Sequence, residues 1–227
     1  MESRGGEKRA LILVTTDKGL CGALNTNLLR KVSDEFVTEN TRVVSAGRKG
    51  AQFSTRTGWD LAAEFSYGDP PSFGEARAIA KLAVDLFVNE EVDHVDIAFT
   101  NFINTITQKP EVQTLLPITE IKGVQAGVEG EETSTELAGG TTEFLFEPSA
   151  GNVLGELLPH YINFQVHQIL LEAKASEHSA RMVAMKNATD NANQLIKDLT
   201  LEYNKLRQAA ITNELLEITT AQMALGN

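Results

Sequence analysis

From His160 to Leu225 the chain runs for sixty-six residues without a glycine or proline. Apolar side chains recur along it every three or four positions, the spacing of one helical face. At 1.5 Å per residue, a single helix of that length would extend roughly 100 Å. A compact domain of this size measures only a few tens of ångströms across. A helix longer than its own domain cannot be covered by that domain, so it is expected to find its partner elsewhere.

The rest of the chain fits one globular domain. Its 227 residues, 42% of them hydrophobic, suffice for a substantial core. The net charge of −11 is unevenly placed: residues 1–150 hold 14 basic against 23 acidic side chains, and residues 151–227 hold 6 against 8. Such an acidic body lacks the basic footprint that general nucleic-acid binding requires, and it is not drawn to anionic lipid. A single cysteine, Cys21, excludes an intrachain disulfide and makes a reducing compartment the default. The apolar run Ala10–Val14 is too short for a membrane span or a signal segment, so a soluble chain is expected, with any attachment to a membrane made through other proteins.

Ala10–Thr16 reads as a buried strand, followed by the turn Asp17-Lys18-Gly19-Leu20-Cys21-Gly22. Asn25 or Thr26 offers an N-cap for a helix through about Glu39. Thr41–Ala46 is a second strand, with a short helical stretch from Arg48 and a possible strand near Leu61–Phe65. The apolar spacing over Phe73–Glu90 predicts a helix, and Val92–Thr100 and Glu111–Ile118 read as strands joined by a turn closed by Lys109-Pro110. This order predicts an α/β, Rossmann-like domain over residues 1–150, on a mostly parallel sheet with a later antiparallel addition. Residues 123–142, rich in Gly, Glu, Thr and Ser, are expected to form a mobile acidic loop, with a further strand at Thr142–Phe146. A short helical lead-in at Asn152–Leu158 precedes Pro159, which suits the first turn of the long helix; residues 151–227 form that second part. Along it the apolar seam at 162, 166, 169, 173, 180 and 183 shifts near Met182–Met185 and resumes at 185, 188, 192, 195, 199, 203, 206 and 210. A shifting, alanine-rich seam suits an antiparallel helix pair better than a regular parallel zipper. No turn chemistry interrupts the run to fold it back as a hairpin.

Candidate chemistry is sparse. Gly19-Leu20-Cys21-Gly22 between a strand and a helix has the position of a phosphate-cradling turn but matches neither glycine-rich fingerprint, and a tight-turn role explains its glycines. No base can be placed beside Cys21, which reads as a buried, inert thiol. His160, His167 and His178 stand seven and eleven apart, not at the i, i+4 spacing of a helical metal pair, and His94 lies between two aspartates on a strand. The Glu129–Glu136 cluster lacks the ligand spacing of a calcium loop. No catalytic constellation, metal set or cofactor motif is assembled.

Three stretches carry a resemblance. Ala175-Ser176-Glu177-His178-Ser179-Ala180-Arg181-Met182-Val183-Ala184-Met185-Lys186-Asn187-Ala188-Thr189-Asp190-Asn191-Ala192 and Tyr203-Asn204-Lys205-Leu206-Arg207-Gln208-Ala209-Ala210-Ile211-Thr212-Asn213-Glu214-Leu215-Leu216-Glu217-Ile218 resemble the C-terminal helix of the gamma subunit of F-type ATP synthase. Thr15-Thr16-Asp17-Lys18-Gly19-Leu20-Cys21-Gly22-Ala23-Leu24-Asn25-Thr26-Asn27 resembles the first strand and turn of that family's globular domain. The resemblance implies a non-catalytic rotor. Its C-terminal helix pairs antiparallel with an N-terminal helix inside a ring of three alpha and three beta subunits, while the globular domain sits against the epsilon subunit and the membrane c-ring. Matched position by position, Arg207, Gln208 and Thr212 fall where the family's shaft hydrogen-bonds to a loop of the beta subunit, and Arg181 falls on another polar contact zone. Ile218–Leu225 would occupy the apolar bearing at the top of the ring; Gly19, Leu20, Cys21 and Gly22 match the turn near the rotor foot. Implied localisation is peripheral, on the cytoplasmic face of a bacterial inner membrane, and the lone cysteine disfavours a thiol-regulated plastid form.

This chain departs from the family by beginning about nine residues before its first strand, where the family has a long N-terminal helix. A truncated chain, a misplaced start codon and a split subunit are the three readings of that departure. Two other functions stay in view: a Rossmann-like nucleotide-binding enzyme with a helical oligomerisation arm, and a coiled-coil scaffold.

Overall fold

The structure is a computed structural model that describes residues 8–118 and 150–226. The expected acidic loop at 123–142 and strand at 142–146 lie outside the described residues. Five strands form one sheet in the order β3-β2-β1-β4-β5. They are β1 (Arg9–Val14), β2 (Thr41–Ala46), β3 (Asp60–Phe65), β4 (His94–Phe102) and β5 (Gln108–Leu116). β1 pairs parallel with β2 and β4, β2 pairs parallel with β3, and β5 closes the edge antiparallel to β4. This is the mostly parallel sheet that the strand–helix alternation predicts.

Strand β1 is apolar from Ala10 to Val14 because helices cover both faces of the sheet. Ala10, Ile12 and Val14 point into one core with Val44, Val95, Ile97 and Phe99, covered by α3 (Phe73–Val88) and the first part of α4 (Ala150–Leu225). Leu11 and Leu13 point into the other with Val43 and Ala98, covered by α1 (Leu24–Glu35) and α2 (Arg48–Thr57) through Leu28, Val32 and Phe53. Trp59 packs there too, its ring tilted against Phe53.

Local chemistry sets the element ends. Ser72 caps α3 in a reciprocal box: its hydroxyl accepts from the Glu75 N–H, and the Glu75 carboxylate accepts from the Ser72 N–H at 2.7 Å. The Ser72 N–H, the Ser72 hydroxyl and then the Gly68 N–H hold the Glu75 carboxyl below its ordinary range. Helix α1 ends at Glu35, short of the expected Glu39, and a 3₁₀ turn at Thr38–Asn40 leads into β2. Lys109 and Pro110 do not close the β4–β5 turn; they lie inside β5, an edge strand where a missing N–H is tolerated. The turn is made instead by Asn104, whose Oδ1 accepts from the N–H groups of Ile106 and Thr107. Pro159 does not begin α4 either, since the helix is continuous from Ala150 and carries the proline inside it.

Two compact units divide the chain, Met1–Ala180 and Arg181–Asn227. In the first, α4 buries Ile162, Val166, Ile169, Leu170, Ala173, Ser176 and Glu177. In the second, nearly every residue from Met185 onward is exposed.

Candidate functional site

The β1–α1 turn is held from within. Asn25, expected as a helix cap, instead reaches back to the end of β1: its Oδ1 accepts from the Thr16 N–H at 3.3 Å, and its Nδ2 donates to the Thr16 hydroxyl at 2.7 Å and to Cys21 Sγ at 3.4 Å. The Thr16 hydroxyl donates to the Lys18 carbonyl at 2.6 Å. Between these anchors Gly22 takes a left-handed φ of 62°, and so does Leu20 at 64°. That conformation costs a residue with a side chain about 1–2 kcal/mol. Leu20 nevertheless stands 74% exposed, while Cys21 beside it is buried. Of the four predicted turn residues, Gly19, Leu20 and Gly22 are thus presented to solvent, and Cys21 anchors the turn from below.

The neighbouring helix starts are closed in the same way. At α2 the Arg48 N–H donates to Asp17 Oδ1, the Lys49 N–H to the Thr16 carbonyl and the Gly50 N–H to the Thr15 hydroxyl. Gly47 precedes them at φ +105°, and a Cβ there would meet the Thr15 carbonyl oxygen at 2.2 Å. At α3 the capping box performs the same service. These amides are the donors with which a βα turn would hold a phosphate, and here they are engaged inside the protein.

Beside this edge lies a cluster that sequence reasoning missed. Tyr67 donates from its buried hydroxyl to the Thr15 carbonyl at 3.0 Å. Burial, and then the carboxylates of Glu177, Asp17 and Asp69, push that hydroxyl far above its usual titration range, so it remains a donor. The Lys174 ammonium sits 4.8 Å from the centre of the Tyr67 ring and 3.1 Å from the Glu177 carboxylate. Ser176 donates to the Thr100 carbonyl at 2.9 Å, and His178 Nε2 lies 2.7 Å from Asp69. From sequence, Lys174 and Glu177 resemble an ordinary i, i+3 surface pair; only the approach of Tyr67 and β4 buries them. The other helix histidines also have structural neighbours, His160 and His167 both packing against the Phe73 ring. Among the described residues no three His, Cys, Asp or Glu side chains come together as a metal site.

The opposite, amino edge of the sheet carries an open groove of about 350 Å³ lined by Lys8, Arg9, Thr41, Arg42, Asp60 and Glu91. Its guanidinium groups are already paired, Arg9 with Asp96 at 3.2 Å and Arg42 with Asp60 and Glu91.

On the second unit the helix geometry sorts the predicted contact residues. At about 100° per residue, Gln208 and Thr212 lie within about 40° of each other and roughly 150–180° away from the seam of 185–210. Arg207 lies at the flank, and all three are exposed. The Thr212 hydroxyl donates back to the Gln208 carbonyl at 2.9 Å, leaving its lone pairs and the Gln208 amide to face outward. Arg181 is half-buried and about 39 Å back along the helix, so it is not part of that patch. The seam itself exposes Leu195, Leu199, Tyr203 and Leu206, each by more than half.

The geometry is thus an α/β unit whose α2 and α3 starts are closed from within, followed by a long helix with an exposed apolar seam. A family model described as ATP synthase matches residues 1–225. The ATP synthase gamma chain of Opitutus terrae is 47% identical over 224 residues, covering 96% of this chain and 74% of the relative. That of Methylacidiphilum infernorum is 42% identical over 231 residues, covering 100% and 77%. Among solved structures, a chain of the Euglena gracilis mitochondrial ATP synthase (OSCP/F1/c-ring) shares the fold at a TM-score of 0.69 and 22% identity, covering 96% of this chain and 73% of that one. A chain of the Tetrahymena thermophila mitochondrial ATP synthase central stalk and c-ring does so at 0.63 and 24%, covering 83% and 79%. The chain belongs to the ATP synthase gamma-chain family.

Proposed function

We propose that this chain is the central-stalk rotor subunit of an F-type ATP synthase, coupling transmembrane proton flow to ATP synthesis in the beta subunits. The observation that carries this reading is the helix of the second unit, which exposes an apolar seam on one side and the Gln208–Thr212 patch on the other. The seam fits a partner helix, as in an antiparallel shaft. The patch stays available to a beta subunit once that seam is covered, with Arg207 at its flank and Arg181 serving a separate contact lower on the shaft. Coupling of this kind is differential binding: a shaft shifts a catalytic site only by touching its conformations unequally. An asymmetric helix with distinct faces meets that requirement, and the chemistry itself stays with the beta subunits.

The globular unit then meets the epsilon subunit and the c-ring through the turn at Gly19–Gly22, where the outward Leu20 supplies an apolar contact. Among the described residues no helix is long and apolar enough to cross a membrane, in keeping with a peripheral subunit. The bacterial relatives favour the cytoplasmic face of the inner membrane as its location. The nucleotide-binding alternative finds no support in the relatives, and the helix-start amides at α2 and α3 are engaged internally.

The test is assembly. Supplied together with a gamma-family N-terminal helix, the chain should co-purify with three alpha and three beta subunits. Replacing Gln208 and Thr212 with alanine should leave that assembly intact and lower proton-driven ATP synthesis several-fold, since each lost hydrogen bond is worth about 0.5–1.5 kcal/mol. Failure to join alpha and beta subunits under those conditions would sink the rotor reading.

A further inference from the structure

The buried part of α4 makes two kinds of contact with the sheet, and they resist different motions. Ile162, Val166, Ile169, Leu170 and Ala173 bury apolar surface. Burial of this kind is non-directional: it turns the apolar face to the core but sets the angle less sharply than a hydrogen bond does. The next turn is different. Within Lys174–His178, three polar contacts leave the helix for two parts of the fold, the β3–α3 loop and β4. Lys174 lies over the Tyr67 ring and pairs with Glu177; Ser176 donates to Thr100 on β4; His178 meets Asp69 in the β3–α3 loop; Tyr67 in turn is tied to Thr15 at the end of β1.

We infer that the Lys174–His178 turn is a torsional lock, which fixes the rotational phase of the long helix against the sheet. This rests on the rotor reading. The magnitudes favour it. Polar heads on a helix ride about 5–6 Å from the axis, so a rotation of about 20° moves them roughly 2 Å. That displacement takes the 2.9 Å bond from Ser176 well beyond hydrogen-bonding range. The Lys174–Glu177 pair, with side chains only 12% and 5% exposed, is an arrangement that adds little net stability over apolar packing. The pair lies within α4 and turns with it, so its part in the lock is to hold the Lys174 ammonium over the Tyr67 ring. The lock also occupies the last buried turn of the first unit, ahead of the exposed helix that begins at Met185.

Ser176→Ala, the paired change Lys174→Met with Glu177→Met, and all three combined in one chain test the lock, keeping side-chain bulk near that of the parent and leaving no charge buried alone. In the assembled ATP synthase, a probe fixed to the globular unit while the catalytic ring is held would report angular fluctuation during the catalytic dwell. The combined variant should at least double the angular variance, with assembly, maximal ATP hydrolysis and thermal midpoint near those of the parent. Leu170→Ala should lower the thermal midpoint without comparable loosening, which separates locking from simple packing. As a second measurement on the isolated chain, spin labels at the exposed positions Lys81 and Ala175 should show a distance distribution that broadens in the combined variant. An assembled, folded variant with unchanged variance and an unchanged distribution would overturn the lock while leaving the rotor reading standing; failure of the parent chain to assemble would overturn the rotor reading.

Discussion

Leu170 and Leu206 lie about ten helical turns apart on α4, so they share one angular phase of the same helix. Leu170 is wholly buried and Leu206 is 64% exposed. The same substitution, Leu→Ala, should therefore have opposite outcomes at the two sites. At Leu170 the lost carbons remove about 2.4 kcal/mol of transfer free energy at ~0.8 kcal/mol each. The void adds to that, because the surrounding cluster contains Ala76, Ala80 and Ala83, side chains too short to relax into it. The total falls at about 3–4 kcal/mol, within the measured span for buried leucines. For a chain of this size that lowers the melting midpoint by roughly 10 °C. At Leu206 the change should stay within about 0.5 kcal/mol, since no intrachain packing is lost and alanine favours helix. Trp59, the sole tryptophan, is buried in the sheet unit and gives the assay: urea or thermal unfolding followed by its fluorescence. Equal losses at the two sites, or a loss below about 1 kcal/mol at Leu170, would refute the claim that tertiary cover alone distinguishes them.

Gly47→Ala should destabilise the sheet unit by roughly 3 kcal/mol or more, because its Cβ meets a backbone oxygen in a left-handed conformation; Gly58→Ala, at φ +76° with open space around it, should cost only about 1 kcal/mol in the same unfolding assay. Ser72→Ala should remove about 1 kcal/mol through the lost cap on α3, seen as a lower melting midpoint. Glu75→Gln should be less stable than the parent at neutral pH. Because the folded-state carboxyl is held low, its contribution is present above the ordinary glutamate range and is lost as the pH falls through the depressed value, so melting curves of parent and variant should converge in acid.

Much of the fold was legible because its signals are local. The two-sided apolar run of β1, the clean strand at Thr41–Ala46 and the alanine-rich helical face of α3 each declare their element without outside help. The misreadings share a different cause. Asn25 has the chemistry of a helix cap, yet its side chain found Thr16 and Cys21 across the turn. Lys109-Pro110 has the chemistry of a turn, but an edge strand accepts it, and Pro159 sits inside a helix whose pattern suggested a start. The Lys174–Glu177 pair gives no sign in sequence of being buried. For Asn25, Pro110 and the Lys174–Glu177 pair the deciding neighbour lies on another element.

The sequence by itself determined that α4 exists, that it is long, and that one of its faces is apolar, because periodicity and the lack of Gly and Pro act within a few residues. It also carried the family resemblance through the helix and the first turn. It could not say which stretch of that apolar face is covered at home. Ile162–Ala173 and Leu195–Leu206 follow the same three- and four-residue spacing, and only the sheet's position decided that the first is core while the second is exposed.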